Sequence, residues 1–343
     1  MYDKTLLAAV VAICGITMFM NSGIFHNVYG RKLSYLTTTT INSTSVGGSI
    51  FKGVSNSSIS TGQSSSSAIS NSIQASNNNN NKVVVLSFDD NRKGDFIYAK
   101  PILDKYGFKA TFFIICGKTA DRGAMNWQDI AALQKDGMDI ESHTMTHPHL
   151  NTLNQNQLDY QIGGSKQCLA SHGYNSTIFA YPYNSGQNDQ AVVNTVAKYY
   201  NIGRTGTQPL MFLNCNGFRN EPQTDCRTYG SDGKLNYANR DEARSLSFDV
   251  VEIKDSFNNA KIFSDFVKLV NSESSYNQGG KINAVPLITF HNVELTTNRH
   301  YYTNAILFDQ LMKYLHDNGF KVITYRQLGY DAQTNTFYLK DLS

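Results

Sequence analysis

From Lys82 onward the chain alternates between two hydrophobic periods. "VVVLSFDD" is a short β-branched run of the kind buried on both faces of a parallel sheet, and Phe96, Ile97, Ala99, Ile102 and Leu103 follow it at helical spacing until Gly107. The unit recurs. "KATFFIIC" reads as strand and "NWQDIAALQKDG" as helix, "MDIESH" as strand and "NQLDYQIGGSKQCLASHG" as helix, "STIFAYPY" as strand and "NDQAVVNTVAKYY" as helix, with "NIGRTG" a short strand after them. An irregular stretch runs from Gln208 to about Ser245. The alternation then resumes with strand "LSFDVVEI", helix "NNAKIFSDFVKLVNS", strand "AVPLITFH", helix "FDQLMKYLHDNG" and a last strand "KVITY". This order predicts an α/β fold, a distorted (β/α) barrel of seven or eight parallel strands, with an open doubly wound sheet as the alternative. No glycine-rich phosphate loop follows a strand, which speaks against nucleotide binding.

The flanks lack this pattern. Residues 1–30 hold an unbroken apolar run from Leu6 to Met20, diluted only by Gly15 and Thr17 and preceded by Lys4. Such a run predicts an export leader, either a signal peptide or, if the span over residues 5–25 is retained, a membrane anchor. Residues 31–81 are dominated by Ser, Thr, Asn and Gly, too poor in large apolar side chains to offset the entropy of ordering, and predict a disordered tether. The folded domain is then expected at 82–335 and a tail at 336–343. Sequons at Asn42, Asn56 and Asn175 accord with an extracellular or outer-face location. Lys and Arg number 30 against 27 Asp and Glu, a net charge of +3 with no basic stripe, so nucleic acid is not an expected partner. Of the cysteines outside the leader, Cys215 and Cys226 bracket a polar loop that a disulfide could staple, whereas Cys116, ending an apolar strand, reads as a buried thiol. The loop around them also carries Phe212, Phe218, Arg219, Arg227 and Tyr229, which could line the rim of a groove, although an exposed, stapled insertion is the more ordinary reading.

In a parallel barrel the chemistry gathers where strands end at their carboxyl edge. Asp89 and Asp90 end the first strand, His143 ends "MDIESH", and His291 ends "AVPLITFH". Adjacent carboxylates resist joint ionisation unless a cation is present. Asp90 with His143 and His147 would form a two-histidine, one-carboxylate site that leaves positions open for water and substrate. Taken singly, an Asp-Asp pair is usually a solvated turn and an isolated pair of histidines at i, i+4 is usually surface. Thr144 stands where the helical metalloprotease motif needs Glu, so that reading fails. His149 reads as a support to the site or a helix cap; His172, His300 and His316 have no partner at ligand spacing.

These residues resemble the polysaccharide deacetylases of the NodB-homology type, carbohydrate esterase family 4. "LSFDD", "SHTMTHPHL", "YPY" and "LITFH" are similar to the family's motifs, over roughly Lys82 to Tyr330. The resemblance implies a hydrolase that removes N-acetyl groups from amino sugars of a cell-surface or extracellular glycan. It implies that Asp90, His143 and His147 hold a divalent metal, zinc first and cobalt, nickel or iron after it. Asp89 would be the base, His291 the acid, and the backbone N–H of Tyr183 an oxyanion donor. Three positions depart from the family. Ala180 stands where many members carry an arginine that pairs with the base; Arg204, from the next strand, could replace it or be a surface or structural residue. Asn91 stands where glycine commonly follows the aspartates. The Asp and Trp motif that orients the acid histidine is missing, with Asp249 its weak substitute. These departures keep open a catalytically weak glycan-binding protein on the same scaffold, and a related metal-dependent amidohydrolase.

Overall fold

In the computed structural model the described residues are 81–206, 209–213, 239–249, 258–296, 301–334 and 336–340. The expected leader, almost all of the expected tether, the Cys215–Cys226 pair and the loop side chains Phe218, Arg219, Arg227 and Tyr229 lie outside them. Among the described residues no helix is long and apolar enough to cross a membrane.

The strands are β1 (Val83–Phe88), β2 (Thr111–Ile114), β3 (Asp139–Ser142), β4 (Ile178–Ala180), β5 (Ile202–Arg204), β6 (Leu210–Phe212), β7 (Leu246–Ser247), β8 (Ala284–Phe290), β9 (Val293–Glu294), β10 (Thr303–Asn304), β11 (Lys321–Ile323), β12 (Leu328–Asp331) and β13 (Thr336–Leu339). The helices between them are α1 (Lys100–Lys105), α2 (Trp127–Lys135), α3 (Gln155–Leu158), α4 (Gly164–Ser171), α5 (Gln190–Tyr199), α6 (Asn259–Val270) and α7 (Ala305–Asp317). Side-chain caps set where several helices begin. Asn126 accepts from the N–H groups of Gln128 and Asp129 while Asp129 returns a bond to the Asn126 N–H, which starts α2; Asp189 and Asn304 cap α5 and α7.

The main sheet runs β5-β4-β3-β2-β1-β8, every neighbouring pair parallel, with β7 parallel to β8 beyond it. Strand β1 is buried throughout and is central. On one side it pairs with β11 over its first half and β2 over its second, so β11 enters as a wedge. The closing element is short. Ala243 forms a parallel bridge with Arg204, and Leu246–Ser247 pair with Ile288–Thr289, so one segment connects the two edges at the carboxyl end. Gly203 permits this, since a Cβ there would lie 2.8 Å from the Asp241 carbonyl oxygen. The result is the distorted barrel of parallel strands that the alternation predicts.

Strand periodicity then decides what faces inward. Val84, Leu86 and Phe88 join Leu103, Ile130, Phe266, Phe308 and Leu311 in the cluster under the helices. Val83 and Val85 join Ile178, Ala180, Ile202, Val285, Leu287 and Ile323 in the barrel interior. Continuing the inward phase by two residues at a time leads from Val85 to Ser87 and Asp89, from Ile202 to Arg204, and from Leu287 to Thr289 and His291. The inward phase of the core thus carries three charged or titratable groups to the carboxyl end.

Four expectations are corrected. Of "LSFDVVEI", Leu246–Ser247 are strand and the chain leaves the strand at Phe248–Asp249, the remaining residues lying outside those described. The stretch after Gln208 opens with β6, antiparallel to β8. The boundary at 335 falls inside paired structure, because β13 pairs with β12 and Phe337 is buried in the barrel interior, donating its N–H to the Leu213 carbonyl. Cys116 is not a free thiol: it is bonded to Cys168 on α4, with a Cα–Cα distance of 6.4 Å. The turn Cys116–Lys118 after β2 packs against α4, which no reading of Cys116 within its own strand could show.

Candidate active site

The inward-facing strand ends and the loops after them line a cleft of about 700 Å³. Its floor is the sequence "FDDN". Asp89 is 3% exposed and receives both hydrogen bonds of one Arg204 terminal nitrogen, at 2.5 and 2.6 Å. Burial pushes the Asp89 carboxyl up, but the Arg204 guanidinium, then His143 and His291, outweigh it and hold the group at about 2. Arg204 is itself 3% exposed and lies over the Phe113 ring at 4.6 Å. It is not a surface residue. The register of β4 and β5 explains it: Ala180 and Arg204 are direct partners, so the cation enters beside the position where the family's arginine would stand.

Asp90, His143 and His147 each bring one potential ligand atom into a group whose members lie within 4.8 Å of one another. The Nε2 atoms of the two histidines are 3.0 Å apart, and Asp90 Oδ1 lies 3.3 Å from His147 Nε2 and 3.6 Å from His143 Nε2. That oxygen is buried and has no hydrogen bond. His143 Nδ1 faces the Ala180 carbonyl at 2.9 Å, which fixes it as the protonated nitrogen and leaves the Nε2 lone pair directed at the group. Burial lowers the pKa of both histidines, that of His147 to about 3, so both imidazoles are neutral at neutral pH. Two neutral nitrogens and one buried carboxylate oxygen that has no hydrogen bond fit a divalent cation.

Backbone strain concentrates here. Asp90, Asn91, Thr144, His147, Tyr183, Asn184 and Tyr301 all have positive φ, between 41° and 70°. Asn91, at φ 41°, explains why glycine suits that place; Asn tolerates the conformation, and its Oδ1 accepts the Ile115 N–H. Gln161, which sequence reading passed over, grips the histidine loop: its Oε1 accepts from Thr146 N, its Nε2 donates to Thr146 Oγ1, and its carbonyl accepts from Met145 N. A buried Gln on the inner face of a helix was the available signal.

On the other side, His291 Nδ1 faces Asp249 Oδ2 at 2.7 Å, while Asp249 Oδ1 accepts from Thr303 Oγ1 and from the His291 N–H. Burial lowers the His291 pKa, but the Asp249 hydrogen bond and charge reverse this and raise it to about 9. Its Nε2 lies 3.9 Å from Asp89 Oδ2. Thr303 carried no signal in the sequence, since its role depends on the short β9–β10 pairing. Tyr183 sits at the mouth, 62% exposed, stacked on His149 at 4.3 Å. His149 caps nothing with its side chain. The turn's hydrogen bonds run from the Asn184 and Ser185 N–H groups to the Tyr181 and Pro182 carbonyls, and neither uses the Tyr183 N–H.

Residues 76–202 match the model of the polysaccharide deacetylase family. YxkH of Bacillus subtilis, provisionally named a polysaccharide deacetylase, is 32% identical over 98 residues, which cover 28% of this chain and 35% of YxkH. A gellan lyase of a Bacillus species is 33% identical over 127 residues, 36% of this chain and 5% of the lyase. The chain thus spans about a third of the first relative's length and a twentieth of the second's. Among solved structures, the Streptococcus pyogenes deacetylase PplD in complex with acetate is 27% identical and aligns over 37% of this chain and 57% of its own, with a TM-score of 0.36. A family 4 carbohydrate esterase from Streptomyces lividans, also with acetate, is 18% identical over 76% of this chain and 99% of its own, with a TM-score of 0.46. The family match contains Asp89, Asp90, His143, His147 and Tyr183 and ends before Arg204, Asp249 and His291. Over residues 76–202, therefore, the chain is similar to the polysaccharide deacetylase family.

Proposed function

We propose that the protein is a metal-dependent hydrolase that removes N-acetyl groups from amino sugars of an exported, cell-surface or extracellular glycan. The observation that carries the proposal is a pair of oppositely tuned groups on one cleft floor. Asp89 is held ionised by Arg204, and His291 is held protonated by Asp249, 3.9 Å away. An acid and a base whose surroundings push them apart are what amide hydrolysis needs at neutral pH.

Asp90, His143 and His147 would hold the cation, zinc being the first choice for a set of two imidazoles and one carboxylate. When bound, it would supply Lewis acidity to the acetamide carbonyl and to a water beside it. A carboxylate held at about 2 is a weak base by itself, so Asp89 orients the water and accepts its proton as the water attacks. The N–H of Tyr183 is available to an oxyanion at the cleft mouth. His291, protonated, gives its proton to the departing amine, and Asp249 stabilises the imidazolium beforehand. Arg204 and Asp249 fill the two gaps that motivate the glycan-binding alternative, which is why the enzymatic reading is preferred. The expected leader and the sequons support export.

The test is acetate release from N-acetylglucosamine oligomers by metal-loaded protein. Wild type should release acetate and Asp89→Asn should be at least about a hundredfold slower. Equal rates for the two, or release that survives complete chelation, would sink the proposal.

A further inference from the structure

The rim of the cleft is unevenly charged. One wall is the loop after β2, from Cys116 to Ala124, with Arg92 beside it; it presents Arg92, Lys118 and Arg122 against a single carboxylate, Asp121. Elsewhere on the rim the described residues Tyr183, Asn184, Tyr301 and Tyr302 carry no charge. Arg92 is engaged by Asp90 at 3.3 Å. The side chains of Lys118, half-buried, and Arg122, exposed, have no hydrogen-bond or ion-pair partner among the described residues.

This loop is fastened at both ends to the segments that carry the candidate ligands. The Cys116 and Gly117 N–H groups donate to the Thr144 and Met145 carbonyls at 3.1 and 2.9 Å. At the far end, Lys93 N donates to the Gly123 carbonyl and Met125 N to the Asn91 carbonyl, both at 2.8 Å. Gly117 allows the close approach, since a Cβ there would lie 2.6 Å from the Met145 carbonyl oxygen. The disulfide from Cys116 to Cys168 ties the same end to α4. The loop backbone is therefore fastened beside the cleft floor, so a ligand there has to order the two side chains but not the loop that carries them.

A neutral sugar seated there would leave both cations without a counter-charge, whereas an anionic one gains charge-assisted hydrogen bonds. We infer that the cleft takes an N-acetylated glycan bearing an anionic group, carboxylate or sulfate, on the sugar that lies against the Lys118–Arg122 wall. The inference rests on the deacetylase reading for where the acetamide sits.

Three N-acetylglucosamine oligomers of equal length serve as probes: neutral, carboxylated at C6 and 6-O-sulfated. Their affinities for the purified chain are measured by calorimetry, and acetate release is followed in parallel. At about 50 mM salt at least one anionic oligomer should bind roughly five- to tenfold more tightly than the neutral one, the gain two exposed ion pairs provide. The preference should fall to near parity by about 0.5 M salt, as screening shortens the reach of exposed charges. Lys118→Gln with Arg122→Gln should abolish it, with thermal unfolding confirming that the variant is folded. Which anionic probe leads tells carboxylate from sulfate. Equal affinity for all three at low salt, or a preference that persists in the double variant, overturns the inference. An anionic preference in binding without acetate release from any probe would keep the charged wall and reject the deacetylase reading.

Discussion

Arg204 and Asp89 form a buried pair in which each charge depends on the other. Removing one partner leaves an uncompensated charge in the barrel interior, which costs about 3–5 kcal/mol in comparable cases. Arg204→Ala should therefore lower stability by about that amount in chemical denaturation, with Arg204→Lys intermediate. It should also release the Asp89 carboxyl upward from about 2, so that, at saturating metal, the acid limb of kcat/KM moves to higher pH. His291 titrates in the opposite sense. Its folded pKa of about 9 exceeds the ordinary 6.5, so the pair with Asp249 stabilises the fold fully below about pH 6.5 and loses that contribution as pH rises through 9. Activity that needs the protonated imidazole should hold to about pH 9 and then fall. Asp249→Asn keeps the shape but removes the charge, so its alkaline limb should retreat by about one to two pH units, with a loss of roughly two- to tenfold at pH 8. An unchanged limb would show that another group gives the proton. Both partners could be named from the sequence as candidates only. Strand ends identify Asp89 and His291, but the cation opposite Ala180 depends on the β4–β5 register, and Asp249 on a two-residue strand.

At the scale of elements, alternating periods were enough to find most of the strands and helices that build the sheet, because β1, β2, β4 and β8 are buried runs rich in β-branched or aromatic residues. What the pattern could not show were pairings without a hydrophobic signature of their own. Strands β6, β9, β10 and β13 are two to four residues long, and each is defined by its neighbour. The Cys116–Cys168 bond is of the same kind. Counting cysteines permits several pairings, and only the packing of the turn after β2 against α4 selects this one. The bond closes 52 residues of chain, which include β3 and the histidine loop. Cys116→Ser with Cys168→Ser should cost about 2–4 kcal/mol, mostly by freeing the unfolded chain. Because the Cys116–Gly117 backbone holds Thr144 and Met145, the same variant should also weaken metal affinity severalfold in a chelator competition. Stability loss with unaltered affinity would mean that the backbone bonds and Gln161 hold the histidine loop without help from the disulfide.

At the scale of the whole molecule, the barrel brings together residues that the chain separates. Asp90 follows β1, His143 and His147 follow β3, and β2 lies between those strands, so the three ligand atoms converge only when this part of the sheet has formed. Arg204 and His291 come from strands on opposite flanks of β1, joined at the carboxyl end by the segment from Ala243 to Ser247. Inward parity along β1, β5 and β8 is legible in the sequence once the strands are known; the closure that turns three strand ends into one cleft is not. A cation bound by such a set interacts with the folded chain and hardly with the unfolded one, so its binding free energy becomes folding free energy. At a free concentration about a hundred times its dissociation constant it should add about 2.7 kcal/mol. For a domain of this size that corresponds to a rise of roughly 5–10 °C in Tm. Thermal unfolding of chelated protein with and without added zinc should show the rise, and His147→Ala, which keeps the fold's strands but removes one nitrogen, should show little of it. An equal rise in His147→Ala would place the cation elsewhere, and no rise in the wild type at any concentration would reject the three-residue site independently of any activity.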